Sequence, residues 1–232
     1  MEKPTVISLG GSMIAPSASP HIGGIDTVFL KNFRDVILKF VEQGKTFFII
    51  TGGGSTCRNY QNAAREVAKI TDENLDWLGI YATQLNGHLV RSIFKDSACP
   101  QLITNYKEKE EIEKPIAVAA GWLPGHSTDF DAVLAAKMYN ANTIINLSDI
   151  KYVYDKDPKK FPDAKPQKAL SWKAFLEIIG EEWVPGRKTP FDPVASKEAE
   201  KLGLKVVVIS GHDLRNFENY LEDKGFEGTI IS

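Results

Sequence analysis

The chain has 232 residues, 43% of them hydrophobic and 25% charged, with a net charge of -2 and a pI near 6.1. This is the balance of an ordinary globular protein, long enough for one large α/β domain or two small ones. It speaks against a basic nucleic-acid surface, and no apolar run is long enough to span a bilayer. Residues 5–9 read as a first strand that ends at Gly10-Gly11-Ser12. Residues 15–24, rich in Pro, Ser and Gly, read as a loop. From Asp26 a helix follows, with Phe29, Phe33, Val36, Ile37, Phe40 and Val41 at three- and four-residue steps. Gln43-Gly44-Lys45 stops it, and residues 46–50 form a second buried strand running into Gly52-Gly53-Gly54-Ser55.

A helix carrying Arg58 and Tyr60 comes next. A longer one starts after Thr71-Asp72 and is expected to bury a stripe of Leu75, Leu78, Ala82, Leu85, Leu89 and Ile93, with Trp77 and Tyr81 in the core or at a subunit contact. Residues 101–103 suggest a short strand, and residues 115–120 a buried one. The latter opens into Gly121-Trp122-Leu123-Pro124-Gly125-His126-Ser127-Thr128-Asp129, then an alanine-rich helix over 130–137. Ser127, Thr128 and Asp129 stand where helix caps stand, and free N–H groups at a glycine-flanked helix start suit a phosphate. Asp129 has the wrong sign for a phosphate ligand and fits better as an organiser of nearby cations.

Residues 142–148 read as another buried strand, which feeds the run Asp149 to Pro158 and then a polar loop to Lys168. Ser171 caps a helix through Ile179, residues 186–190 are loop-like, and Pro193 opens a helix through Leu202. Residues 205–209 form a strand, Asp213 begins a helix, and residues 227–231 are expected as a final edge strand.

Strands alternating with helices imply a mostly parallel sheet covered on both faces. Three apolar strands end in glycines, at Gly10-Gly11, Gly52-Gly53-Gly54 and Gly121. Ligands in such sheets sit beyond the strands' carboxyl ends, so the three loops should meet at one site and offer bare amides to a ligand with several phosphates. The P-loop and GxGxxG spacings are absent, as are the HRD and DFG kinase motifs and HExxH. Cys57 and Cys99 lie far apart outside any CxxC pattern, which fits reduced cytoplasmic thiols, and no protein metal site is expected. The first residues lead into a strand without a long apolar segment, so no signal peptide is read.

Taken in order, these motifs resemble the amino acid kinase family, and within it the UMP kinase branch of archaeal type. The pieces are Gly10-Gly11-Ser12, the triplet Gly52 to Gly54 with Arg58 four residues on, and Asp76 with a glycine and an A-T-x-x-N run to Asn86. GWLPGHSTD then resembles GTHPGHTTD, and Tyr154 to Pro158 and Asp192 to Lys197 close the set. The resemblance covers the chain from Val6 to about Ile230. It implies a single domain with the amino acid kinase fold, similar to carbamate kinase: a three-layer α/β/α sandwich with a mostly parallel sheet. Residues 1–120 would serve the acceptor and residues 121–232 the ATP.

The resemblance also implies transfer of the γ-phosphoryl of ATP to UMP, with Mg²⁺ held mainly by nucleotide phosphates, in a cytoplasmic homohexamer. It assigns Gly53, Asp76, Trp122, Leu123, Pro124, Gly125, His126, Ser127 and Thr128 to UMP, with Asp76 at the ribose. Gly10, Gly11, Gly54 and Arg58 fall to the phosphates, and Ser148, Tyr154 and Asp157 to the ATP nucleoside. Arg58, Asp129 and Lys197 would act on the transferring group, Asp129 by orienting Lys197. Two departures stand out. Ser8 replaces a lysine found in many members, and Asp149-Ile150-Lys151-Tyr152-Val153-Tyr154 replaces Asn-x-Asp-Gly-Val-Tyr, so Lys151 or Lys188 is a candidate substitute cation. The alternatives on this fold are a kinase of another small phosphate, such as isopentenyl phosphate, and a noncatalytic nucleotide-binding protein similar to molybdenum storage proteins. The isopentenyl branch carries a histidine shortly after the glycine triplet, where this chain has Ser55-Thr56-Cys57-Arg58.

Overall fold

The structure is a computed structural model that describes residues 3–17, 22–182 and 189–232. The elements run β1 (Thr5–Leu9), α1 (Gly11–Ile14), α2 (Thr27–Glu42), β2 (Phe47–Thr51), α3 (Gly54–Val67), α4 (Asp72–Phe94) and β3 (Ala98–Ile103). They continue with β4 (Ile116–Ala119), α5 (Thr128–Met138), β5 (Thr143–Ser148), β6 (Val153–Tyr154), β7 (Pro166–Gln167) and β8 (Ala169–Leu170). The last are α6 (Trp172–Ile179), α7 (Pro193–Lys201), β9 (Lys205–Ser210), α8 (Leu214–Leu221) and β10 (Thr229–Ile231).

Eight strands form one sheet in the order β3-β4-β2-β1-β5-β9-β10-β8. From β3 to β9 every pairing is parallel, and β10 runs antiparallel to β9. Alternation along each strand sends side chains to opposite faces. Val6, Phe48 and Ile144 pack with α5, α6 and α7, while Ile7, Phe47 and Ile145 pack with α2, α4 and α8. Both faces are therefore buried, which is why these strands read as continuous apolar runs. The expected α/β sandwich is what the chain adopts.

Three expectations need correction. The last strand is not an edge, because the two-residue β8 pairs with its outer side, and so short a segment leaves no periodic signal. The polar loop read up to Lys168 contains β7, which pairs antiparallel with β6, from the run before it, as a separate ribbon. In α4 the buried face runs through Leu75, Ile80, Thr83, Gly87, Val90 and Phe94, whereas Leu85 is 62% exposed and Tyr81 61%. Leu75 and Ala82 of the expected stripe are buried and Leu89 and Ile93 pack against the core, but the inner face also takes in Thr83, Asn86 and Gly87, which an apolar pattern passes over. Gly87 sits there because a Cβ would lie 2.7 Å from a Leu102 methyl and 3.1 Å from Thr51 Oγ1.

Candidate active site

The parallel strands deliver their carboxyl ends to one edge of the sheet. There the loop after β1 lies directly on the loop after β2. A Cβ on Gly11 would come within 2.6 Å of the Gly52 carbonyl carbon, and one on Gly54 within 2.7 Å of the Gly11 carbonyl carbon. Gly54 also has a φ of +61°, which disfavours any side chain. Gly10 closes the seam on the other side, where its amide donates to Leu147 O at 2.8 Å and a Cβ would sit 3.2 Å from Ser148. The bare amides expected at these loops are thus partly engaged, since Gly52 N donates to Leu9 O and Gly121 N to Thr83 Oγ1. Of the first-turn amides of α1 and α3, Met13 N donates to Gly10 O and Ser55 N to Ala15 O; those left without an intrahelical acceptor are donors of the kind that favour an anion.

The loop after β4 is tied down by α4. Asp76 Oδ2 accepts from Gly125 N at 2.8 Å, and Gln84 Nε2 donates to Gly121 O at 3.3 Å. Asn86 Nδ2 donates to Gly52 O at 2.8 Å and Gly53 O at 3.2 Å. Thr51 Oγ1 donates to the carbonyls of Thr83 and Ala119. The inner face of α4 therefore joins the triplet after β2 to the loop after β4. Gly53 lies against Cys57, where a Cβ would be 2.6 Å from the cysteine Cβ. Trp122 and His126 meet edge-on at 5.5 Å, and His126 and Phe130 at 4.8 Å. Leu123 O accepts from His126 N across Pro124 and Gly125. Ser127 Oγ accepts from Phe130 N, so Ser127 is the cap and Thr128 the first residue of α5.

Asp129, one residue into that helix, turns to the sheet. Its Oδ1 accepts from Ser8 Oγ at 3.0 Å and its Oδ2 from Asp192 N at 3.1 Å. The residue keeps a small opening to solvent, yet the crowding around its carboxyl pushes the pKa up to about 7 by desolvation, against the Ser8 bond, which lowers it. The nearby Asp192 charge adds to the rise. Asp192 itself is raised by burial and caps α7 through Ala195 N.

The other candidates divide. Arg58 stands one turn into α3, and its Nη2 donates to Ser17 Oγ at 2.8 Å, which links the triplet helix to the segment after α1. Lys197 Nζ pairs with Glu181 at 3.1 Å, so the expected Asp129–Lys197 contact is not made and a hydroxyl and an amide face Asp129 instead. Ser148 ends β5 beside Gly10, and its carbonyl accepts from Gly211 N. Tyr154 lies in β6, edge-on to Tyr152. Asp157 is exposed and caps its own turn through Lys159 N. Lys151 Nζ pairs with Glu227 at 2.8 Å; Lys188 lies outside the described residues.

The sequence pattern of the amino acid kinase family matches residues 3–210. The chain belongs to the amino acid kinase family. It is 35% identical over 209 residues to the uridylate kinase of Methanococcus aeolicus, covering 89% of this chain and 90% of that one. It is 33% identical over 231 residues to the uridylate kinase of Methanosarcina barkeri, covering 98% and 95%. The crystal structure of uridylate kinase from Archaeoglobus fulgidus superposes with a TM-score of 0.82 at 30% identity, over 99% of this chain and 100% of that one. The chain thus closely resembles the archaeal-type uridylate kinases within the family. In this kinase fold, sequence reading gave no separate role to Thr51, Thr83, Gln84 or Asp192. Thr51, Thr83 and Asp192 are buried polar residues and Gln84 is half-buried, and position along the chain does not by itself reveal burial. Among the described residues, no three His, Cys, Asp or Glu side chains gather to hold a metal. Among them, too, no helix is long and apolar enough to cross a membrane.

Proposed function

We propose that this chain moves the γ-phosphoryl group of ATP to UMP, giving UDP and ADP, in line with the name uridylate kinase that its archaeal relatives carry. What supports the reading most is the seam at Gly11, Gly52 and Gly54, where no side chain fits and backbone alone faces the sheet edge. That seam adjoins the loop that Asp76 fixes through Gly125. We assign Gly10, Gly11 and Gly54 to the ATP phosphates and Arg58 to the transferring group, which its planar fork suits. UMP would lie against Gly53 and residues 122–128, with Asp76 Oδ1 at the ribose while Oδ2 holds the loop. Ser148, Tyr154 and Asp157 would border the ATP nucleoside. These assignments cross the proposed division at residue 120, since residues 122–128 serve the acceptor and Gly10, Gly11 and Gly54 serve the ATP phosphates.

The acceptor oxygen of UMP is already a nucleophile. It attacks the γ-phosphorus, the bond to the β-bridging oxygen breaks, and ADP leaves with that electron pair. Positioning and charge neutralisation supply most of the rate in such transfers. Mg²⁺, carried mainly by the nucleotide phosphates, would supply further neutralisation. Asp129 keeps β1, α5 and the start of α7 in register beneath the site. Lys197 can reach the transferring group only by leaving its exposed partner Glu181, a small cost for a surface ion pair.

We further propose a cytoplasmic homo-oligomer, a hexamer by family resemblance. The exposed Tyr60 and Val67 of α3 and Tyr81 and Leu85 of α4 support a subunit contact there. The decisive assay is coupled formation of product from ATP with UMP, CMP, dCMP and isopentenyl phosphate. Turnover with UMP alone is expected. Turnover with isopentenyl phosphate, or ATP binding with no turnover of any acceptor, overturns the reading.

A further inference from the structure

Asp131 has no part in the chemistry just described, yet it is the most deeply enclosed acid near the site. Its side chain is 0% exposed, and neither carboxyl oxygen has a well-formed hydrogen bond, although the Trp122 backbone N–H lies close enough to favour its charged form. His126 Nδ1 is likewise buried without a hydrogen-bond partner, and it lies 3.6 Å from Asp131 Oδ1. Two orphaned polar atoms facing each other are costly unless a proton passes between them, since an unsatisfied buried group costs about 1–3 kcal/mol. The imidazole ring is held by its neighbours, edge-on to Trp122 on one side and Phe130 on the other. It is 26% exposed, and with Nδ1 turned inward, Nε2 is its outward nitrogen.

We propose that Asp131 is a positioning residue for acceptor recognition: it shares one proton with His126 Nδ1, and so holds Nε2 as an N–H donor facing the acceptor. This rests on the assignment of residues 121–128 to the acceptor. The bookkeeping of protons is simple. If Asp131 is a neutral acid, its O–H donates to Nδ1 and the ring proton sits on Nε2. If the shared proton moves to the ring, Asp131 is a carboxylate, Nδ1–H donates to it, and Nε2 still carries its own proton. Either microstate presents a donor, the right polarity for a phosphate or uracil oxygen. Loss of one proton from the pair leaves a carboxylate that needs a donor. The single remaining ring proton then moves to Nδ1, and Nε2 becomes a lone pair that repels the same oxygens.

The groups around the pair set where this happens. Burial raises Asp131 to about 8, the Trp122 backbone N–H offsets only part of that, and the Asp129 charge on the same helix adds to it. Tyr106, from the loop after β3, faces Asp131 with a hydroxyl that burial keeps protonated, and donates to Ala120 O. Burial lowers His126. Among the described residues, no lysine or arginine lies within salt-bridge distance of Asp131. The donor is therefore present below about pH 8 and lost as pH rises through it.

The test reads the His126 ring nitrogens by heteronuclear NMR in the full-length protein from about pH 6 to about pH 10. Asp131→Asn keeps the shape and removes the titration. In the wild type Nε2 is expected to lose its proton as pH rises while Nδ1 gains one; in Asp131→Asn the tautomer stays fixed. In parallel, the KM for UMP should rise about tenfold across the same range in the wild type, with kcat little changed, and stay level in Asp131→Asn. His126→Phe keeps the ring stack and should show the raised KM at every pH. A tautomer that ignores pH, or that responds equally in Asp131→Asn, overturns the proposal whatever the acceptor is. A tautomer that follows Asp131 in a protein that never phosphorylates UMP overturns the acceptor assignment instead, and the recognition role with it.

Discussion

At the seam of Gly11, Gly52 and Gly54, backbone lies on backbone; at the β6–β7 ribbon, a two-residue pairing is tied to the sheet through one buried hydroxyl, that of Thr229. The seam sits at the centre of the sheet, between strands paired on both sides. The ribbon is two residues deep on each strand and is tied back by Val153 N donating to Thr229 Oγ1. Nearby, Lys151 and Glu227 pair while 55% and 57% exposed. Phosphates must be held at fixed geometry for transfer, so the part that would hold them has no slack. A nucleoside can be held by looser surfaces, and the departures from the family pattern at Asp149 to Tyr154 fall in that looser part.

Substitutions should break this contrast in a definite order. The largest effect is expected from Gly11→Ala. The new methyl meets the carbonyl carbon of Gly52 and backbone of Gly54, none of which can move without shifting β1 or β2. A loss of several kcal/mol is expected, roughly the 4–5 kcal/mol of an exceptional point mutation, read as failure to accumulate folded protein or a collapse in Tm. Normal stability in this variant would show that the seam has slack after all. Arg58→Ala comes next. Its side chain is not part of the core, so the melting curve should stay close to wild type while phosphoryl transfer falls about 10²–10³-fold, the usual cost of removing one preorganised donor. Steady-state kcat at saturating ATP and UMP decides it, and an unchanged kcat removes Arg58 from the site.

Asp76→Ala sharpens the acceptor side. It removes the anchor of Gly125 and should raise the KM for UMP roughly tenfold, the size of one charge-assisted hydrogen bond, with kcat far less affected. A fall in kcat alone would put Asp76 on the transferring group rather than on the loop. The smallest effect is expected from Lys151→Ala. Its partner is as exposed as it is, so stability and the KM for ATP should stay within about twofold of wild type. A large loss of kcat there would instead identify Lys151 as the cation that stands in for the lysine absent at Ser8.

Much of this arrangement is legible along the chain. The buried strands announce themselves as short apolar runs, and the helix starts at Ser127, Ser171 and Asp213 each accept from the amide three residues on. The glycine loops were expected to share one edge of the sheet, and parallel pairing brings them there. The inner face of α4 is only partly legible, because burial there also falls on Thr83 and Asn86, which hold neighbouring loops, and on Gly87, which lets Leu102 and Thr51 pack close. β8 was missed because two residues carry no period.

What the sequence determines by itself is the set of elements and their direction. Apolar period, caps and glycines act within a few residues, and parallel α/β architecture follows from their alternation. Only the tertiary structure decides the chemistry of the partners. Ser8 meets Asp129 across 121 residues and Asp76 meets Gly125 across 49, pairings that no local rule can anticipate. Burial is decided there too. Asp129 and Asp131 are two residues apart on one helix, yet one accepts well-formed bonds from β1 and the start of α7 while the other faces a histidine at 3.6 Å, because the helix turns their carboxyls toward different neighbours.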